Sequence, residues 1–199
     1  IWALGIDLAR REEQVRLAEA ERVTLAAIRA ARDTLPRQLA STDRALSHAQ
    51  ARAVALARGD RREADTQEQA LLALLRRGGD APRVVAQADT QGQVVWTSQP
   101  GAPPAWVGNT EYFLLHRYGR IALVIGRYPL PALGGQIVPV MTFPILGSQG
   151  GFAGVVMAGL DAGRLGQALP AATDRTDPQI GLFLPDGTLL ARGRNARLS

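Results

Sequence analysis

The sequence predicts an α+β fold in which a long N-terminal helix and a second helix precede a series of short strands. Three observations carry this prediction. Apolar residues recur at helical spacing through the first part of the chain. After Pro82, short runs rich in valine and isoleucine alternate with glycine- and proline-containing turns. A strand–turn–strand pattern then recurs near the end of the chain, so we expect the start of a second, similar module there.

The long helix is predicted from about Asp7 to Arg58. Its apolar positions alternate steps of three or four residues with steps of seven, which is typical of an a/d seam. The seam consists of Leu25, Ile28, Leu35, Leu39, Leu46, Ala49, Ala53 and Leu56, with Arg32 and Thr42 as polar interruptions. Pro36 should kink or divide the helix. Two interpretations stay open: the helix packs only on its own domain, or it also pairs with its twin in a homodimer.

A second helix is predicted over residues 62–77, because Ala70, Leu71, Leu74 and Leu75 form an apolar stripe and two glycines follow. Five strands are predicted after it, over residues 83–88, 93–97, 121–127, 136–146 and 152–160. A loop over 98–108 and a short helix over 109–118 separate the second strand from the third, with Asn109 as the candidate cap. The prolines of the fourth strand predict irregular or edge pairing.

The uncharged stretch 128–160 is long enough to span a bilayer, but its prolines and glycines exclude a membrane helix. It is predicted instead to form two buried strands joined by a glycine-rich turn. At the start of the chain the sequence lacks the pattern of a secretory leader. Residues 1–6 are apolar, and they are interpreted either as the outer end of a membrane helix or as an ordinary helix start.

The second hairpin is predicted over residues 179–192, around the turn Pro185–Asp186–Gly187. The predicted organisation is therefore two helices over 1–80, a strand-rich module over 81–169, and a linker over 170–178. An incomplete second module follows over 179–199.

Composition excludes several classes of function. Cysteine is absent, and only His48 and His116 could supply imidazole, so neither a metal site nor a thiol nucleophile is expected. All 23 basic residues are arginines, and they are interspersed with acids without a basic run, which argues against nucleic-acid binding despite the net charge of +5. The sequence contains no glycine-rich phosphate loop or nucleophile elbow, so we expect no catalysis and no cofactor.

Three local motifs carry a family resemblance. They are the hairpin turn Asp89–Thr90–Gln91–Gly92, the segment Asn109–Thr110–Glu111–Tyr112–Phe113, and the strand Gly151–Phe152–Ala153–Gly154–Val155–Val156 that leads to Asp161. In this order, residues 10–192 resemble the extracytoplasmic double-Cache sensor family. The resemblance implies that the long helix packs on a five-stranded antiparallel sheet of the PAS-like kind.

The resemblance also implies a function. Such domains lie outside the inner membrane of a bacterium, bind a small molecule, and signal to a cytoplasmic histidine kinase, diguanylate cyclase or chemoreceptor module. The expected partner is therefore a small ligand such as an amino acid, a carboxylate or an amine, within a membrane-anchored homodimer paired through the N-terminal helix. The alternative is a ligand-free structural or dimerisation module of a membrane protein.

The ligand is expected on one face of the sheet, beneath the short helix and the loop over 98–108. There a carboxylate would need a cation and an ammonium group would need an acid. The candidate ligand-binding residues are Tyr112, His116, Arg117, Arg127, Tyr128, Thr142 and Asp161. Thr110, and Thr142 with Phe143 on the fourth strand, stand where related amino-acid sensors carry arginine. This favours a less charged ligand, or none. Several candidates also have a structural interpretation. Tyr112 would be a core residue, His116 a surface or core residue, the arginines a solvated face, and Asp161 a helix cap.

Overall fold

The structure is a computed structural model that describes residues 22, 25, 29, 35–167, 169 and 180–193. The apolar start over residues 1–6 and the linker predicted over 170–178 lie outside the described residues. The predicted kink at Pro36 also depends on residues 30–34, which are not among those described.

The described continuous part of the long helix, α1, covers residues 35–57. Ala45, Leu46, Ala49 and Ala53 are buried on one side of it, against Val85, Met141 and other residues of the sheet. The middle of the predicted seam therefore packs within its own domain. Near the C-terminal end of α1, Leu56 does not take part in this contact and is 43% exposed.

The second helix, α2, spans Arg61–Arg77. The side chain of Asp60 accepts a hydrogen bond from the backbone N–H of Glu63 at its start, and Gly78 ends the helix with a φ of 63°. Of the predicted stripe, Leu71 is fully buried, and Leu74 and Leu75 pack partly buried against the same core as α1.

Five antiparallel strands form one sheet, as predicted. They are β1 (Val84–Ala88), β2 (Val94–Thr97), β3 (Val124–Leu130), β4 (Gln136–Leu146) and β5 (Phe152–Gly159). Their order across the sheet is β2-β1-β5-β4-β3. Because side chains alternate along a strand, Val84 points to one core and Val85 to the other. One face of the sheet thus packs on α1 and α2, and the opposite face packs on a short helix, α3 (Glu111–Gly119).

The expectation that β4 lies at an edge is wrong, because β4 pairs with both β3 and β5. Its prolines are tolerated where a neighbouring strand ends. The pairing of β4 with β5 begins at Val140, so Pro139 lies just outside this pairing. The pairing of β4 with β3 likewise ends at Thr142, so Pro144 lies beyond it. The carbonyl of Pro144 instead accepts a hydrogen bond from Gln50 of α1. The predicted irregularity is present as a register shift between Ile145 and Leu146.

Two boundaries differ from the sequence prediction at the ends of α3. The cap position is Thr110 rather than Asn109, and the Thr110 hydroxyl donates to the Val107 carbonyl at 2.8 Å. The third strand begins at Val124 rather than at residue 121. The backbone of Ile121 is instead engaged with α3, since its N–H donates to Leu115 and its carbonyl contacts His116.

The second predicted hairpin forms, with β6 (Gly181–Phe183) antiparallel to β7 (Leu189–Arg192). It packs on α4 (Ala162–Gln167), the short helix that follows β5. Leu160, Leu165 and Ala191 form a small core here, and Leu35 at the start of α1 packs against it. Within the described part of the chain, no helix is both long and apolar enough to cross a membrane. Within residues 128–160, β4 and β5 are the two predicted strands, and a turn over 147–151 joins them. The end of β3 and a short 3-10 helix, Pro131–Leu133, precede them.

Candidate functional site

Side chains from one helix and three strands meet beneath α3, in a group that we call the α3 cluster. It consists of Tyr112, His116, Tyr128, Thr142 and Met157. Tyr112 and His116 are four residues apart on α3 and therefore share its inner face. Thr142 of β4 is paired with Met157 of β5, which places both side chains under the helix.

His116 is the polar centre of the α3 cluster and is only 2% exposed. Its Nδ1 lies 2.5 Å from the carbonyl oxygen of Ile121, and its Nε2 lies 2.8 Å from the hydroxyl of Thr142. A carbonyl can only accept, so Nδ1 carries the hydrogen and Nε2 accepts from the threonine. Burial lowers the pKa of His116 below its ordinary value, although the hydrogen bonds to Ile121 and Thr142 oppose this shift. The imidazole is therefore held neutral.

The two tyrosines form the other side of the α3 cluster. Their rings meet edge to face with centroids 5.0 Å apart. The Tyr112 hydroxyl lies 3.6 Å from the sulfur of Met157, and burial raises the pKa of Tyr112 to about 12. The Tyr128 hydroxyl donates to the carboxylate of Glu111 at 3.1 Å. Its pKa is also raised to about 12, first by burial and then by the hydrogen bond to Glu111 and the charges of Glu111 and Asp186.

The two predicted arginines lie away from the buried centre of the α3 cluster. Arg117 is exposed, and its guanidinium donates to the backbone carbonyl of Thr90 at 3.2 Å. Arg127 follows the inward-facing Gly126 on β3, so it points to the opposite side of the strand. It is exposed and donates to the carbonyl of Ile137 at 3.5 Å. Neither guanidinium contributes positive charge to the side chains under α3.

Asp161 begins α4. One of its carboxylate oxygens accepts from the backbone N–H groups of Gly163 at 2.9 Å and Arg164 at 3.1 Å, and the other lies 3.6 Å from the Arg164 guanidinium. These contacts are those of a helix cap, which is the structural interpretation predicted for this residue.

One member of the α3 cluster, Met157, and one neighbour of it, Glu111, were not predicted from the sequence as site residues. Glu111 supplies a carboxylate beside Tyr128, and Met157 fills the space under Tyr112. The position of Glu111 in the first turn of the helix that carries Tyr112 was the available signal. No sequence pattern indicated which residue of β5 faces that helix. Among the described residues, no group of three or more histidine, cysteine, aspartate or glutamate side chains is arranged to hold a metal ion.

No protein-family model matches the chain, and no curated protein is a significant match. Several solved structures are similar. The extracellular domain of a protein described as a histidine kinase, rpHK1S-Z16, is 25% identical with a TM-score of 0.50, over 64% of this chain and 56% of that one. An extracellular ligand-binding receptor from Desulfohalobium retbaense is 18% identical with a TM-score of 0.61, over 88% of this chain. This chain spans only 33% of the length of that receptor.

A third neighbour is the ligand-binding domain of the Pseudomonas fluorescens chemoreceptor CtaA, solved in complex with L-serine. It is 15% identical with a TM-score of 0.54, over 90% of this chain and 73% of that one. All three neighbours are extracellular or ligand-binding domains of receptors. The chain therefore has the fold of the extracellular sensor domains of histidine kinases and chemoreceptors, and the predicted resemblance to Cache domains is confirmed at the level of the fold.

Proposed function

We propose that this chain is the extracytoplasmic sensor domain of a bacterial inner-membrane signalling protein and that it binds a small molecule beneath α3. The observation that supports this most strongly is the shared fold with extracellular receptor domains, among them one solved with L-serine and one solved with GABA. The α3 cluster adds a polar group of side chains at the face of the sheet that α3 covers. In this proposal the fragment itself performs no catalysis, and a cytoplasmic module of the full-length protein provides the output.

The charges around the α3 cluster favour a ligand that carries an ammonium group. Glu111 and Asp186 both act on Tyr128, whereas Arg117 and Arg127 are directed elsewhere. The hydroxyl oxygens of Tyr112, Tyr128 and Thr142 and the carboxylate of Glu111 can accept hydrogen bonds from an amine. The Nε2 of His116 can do so once its contact with Thr142 opens. The predicted ligand set also includes Arg117, Arg127 and Asp161. We propose that these three residues act indirectly, at the edge of the site, by holding in place the elements that they contact.

Binding is expected to act as a population shift. Since Tyr112 and His116 are buried, the ligand must enter as α3 moves outward from the sheet and the contact between His116 and Thr142 lengthens. The sheet packs on α1 through its other face, so a change in packing would reach the long helix. A tenfold displacement of such an equilibrium needs about 1.4 kcal/mol of differential binding.

The experiment is a thermal-shift screen with GABA, L-serine, putrescine, L-malate and acetate, followed by calorimetric titration. A ligand present at 100 times its Kd stabilises the folded state by about 2.7 kcal/mol, which corresponds to roughly 5–10 °C in Tm. We expect the compounds with an ammonium group to raise Tm in a dose-dependent manner. The variants Glu111→Gln and Thr142→Val should reduce that shift, whereas Asp43→Asn, an exposed acid on α1, should leave it unchanged. A screen in which no compound raises Tm would instead support the ligand-free structural module.

We further propose that the full-length protein is a membrane-anchored homodimer paired through α1, and that residues 179–199 begin its second module. The buried seam is used within the chain, so the partner helix would contact the outer face of α1, where Ala40 and Ser47 are exposed. Because the chain lacks cysteine, the variant Ser47→Cys reports this contact without interference. A disulfide-linked dimer should form readily under mild oxidation. The same change at Gln149, in the β4–β5 turn, should give none, and equal crosslinking of both variants would contradict the pairing.

A further inference from the structure

A groove lies on the opposite side of the sheet from α3, between α2 and β2. We call it the α2–β2 groove, and its volume is about 590 Å³. Leu72 and Leu75 line it from α2, and Trp96 lines it from β2. Trp96 packs with the core shared by α1 and α2, so the sheet separates the groove from the α3 cluster. Its volume falls in the range of small-molecule sites.

The charge of the groove is positive. Arg76 and Arg83 line it and are exposed, and within the described part of the chain neither guanidinium has a hydrogen bond or an ion pair. The carboxylate that lines the groove, Glu68, is already engaged. It accepts from Arg52 at 2.6 Å and from the indole N–H of Trp96 at 3.3 Å. Two uncompensated arginines therefore remain beside an apolar surface.

The aromatic surface of the groove is also held in place. The guanidinium of Arg52 lies 4.6 Å from the centroid of the Trp96 ring, and the Glu68 contact fixes the indole edge. A side chain that is already ordered loses little conformational entropy when a ligand packs against it. The groove thus offers a preorganised flat apolar wall with two cationic groups nearby, which matches a molecule with a flat apolar body and an anionic head.

We propose that the α2–β2 groove binds an amphipathic organic anion, such as an aromatic carboxylate or sulfonate. The ring of the ligand packs against Trp96 and the two leucines, and its anionic group pairs with Arg76 and Arg83. This site is independent of the one proposed beneath α3. A ligand bound here would contact α2 and β2 together, and would therefore favour the arrangement in which this helix lies against the sheet edge.

The test uses the fluorescent anion 8-anilinonaphthalene-1-sulfonate as the probe. Its neutral analogue, N-phenyl-1-naphthylamine, has the same rings without the sulfonate. Saturable binding of the anion is expected, at least tenfold tighter than binding of the analogue. The double variant Arg76→Gln/Arg83→Gln should bind the anion at least tenfold more weakly. Arg77→Gln is the matched control, because this exposed arginine neighbours Arg76 without lining the groove, and it should bind as the original protein does.

Location is checked by NMR on the indole N–H resonances, with Trp96→Phe used to assign the signal. The Trp96 signal should shift with the anion, and that of Trp106 should not. Equal affinity in the double variant, equal binding of the neutral analogue, or an unmoved Trp96 signal would each overturn the proposal. These outcomes are separable from failure of the sensor function, because the Arg76 and Arg83 changes leave the α3 cluster untouched.

Discussion

Thr142 links the α3 helix to the centre of the sheet through a single hydroxyl group. The side chain is fully buried, and its hydroxyl oxygen lies 2.8 Å from the Nε2 of His116 and 3.4 Å from the carbonyl of Val124. Donation to Nε2 is the shorter of the two contacts and satisfies a buried acceptor. The hydroxyl is therefore expected to contribute to stability as well as to the proposed ligand site.

The change Thr142→Val keeps the shape of this side chain and removes the hydroxyl. It should lower the free energy of unfolding by about 1–3 kcal/mol, because Nε2 of His116 loses its buried partner. Urea denaturation followed by circular dichroism measures this. Thr142→Ser retains the hydroxyl and serves as the matched control, with a smaller cost from the lost methyl group. Equal costs for the two variants would show that packing, rather than the hydrogen bond, stabilises this position.

The lowered pKa of His116 makes stability depend on pH in a defined direction. Because burial disfavours the charged form, the unfolded chain binds more protons than the folded chain once the pH falls below the ordinary value of 6.5. Stability should therefore be complete above that pH and should decrease as the pH falls towards the lower pKa of the folded state.

The variant His116→Gln isolates this effect, because it has no group that titrates in the same range. At pH 8 it should be less stable than the original protein by about 1–2 kcal/mol, owing to its altered hydrogen bonds. At pH 5 the difference should be smaller, since only the original protein incurs the protonation cost. Denaturation curves at both pH values measure the two differences, and parallel pH profiles would show that His116 does not titrate as proposed.

At the scale of single residues, the sequence predicted which residue types belong to the candidate site better than it predicted where their side chains point. It placed Tyr112, His116, Tyr128 and Thr142 among the candidates, and the structure brings these four together. It did not separate them from Arg117, which directly follows His116 on the same helix but faces solvent. The direction of a side chain on a short helix depends on where the strands lie beneath it, and that information is in the tertiary packing rather than in the local pattern.

The bounds of the strands were predicted more accurately than the order of the strands in the sheet. β4 was predicted over 136–146, where the structure has it, because a long uncharged run between glycine turns defines a buried strand. Its prolines suggested an edge, yet it lies between β3 and β5. The pattern of one strand does not reveal where its partners end, and the end of each partner is what accommodates these prolines.

The pairing of β1 with β5 depends on the backbone of Gly154. This residue has a φ of 136°, which side-chain-bearing residues rarely adopt, and a Cβ atom there would overlap the carbonyl oxygen of Ala88. Gly154→Ala should therefore destabilise the protein by at least about 2 kcal/mol, measured by chemical denaturation. Gly151→Ala is a suitable control, because nothing lies within 4 Å of a Cβ at that position. Its effect should stay within about 0.5 kcal/mol, and a similar cost for both variants would contradict the proposed role of Gly154.

On the scale of the whole molecule, α1 connects two separate cores. Leu46, Ala49 and Ala53 pack on the sheet, whereas Leu35 packs on the small core of α4 and the β6–β7 hairpin. From residue 35 to residue 53 a straight helix rises about 27 Å. A rigid helix that contacts both cores can relay a change in the sheet to the hairpin. This is the arrangement that the proposed sensor needs, since its signal must leave the ligand-binding module.

The contact of Leu35 provides the test of this coupling. Leu35→Ala removes apolar contacts with Leu160, Leu165 and Ala191, so the hairpin should open more often while the main sheet keeps its own core. Hydrogen exchange monitored by mass spectrometry should show several-fold faster exchange at β6 and β7 and unchanged exchange at β1 and β5. Leu56→Ala, at an exposed position of the same helix, should leave both regions as they are. If Leu35→Ala accelerates exchange equally in the sheet and in the hairpin, the two cores unfold as one unit, and the role of α1 as a connector between separable modules is wrong.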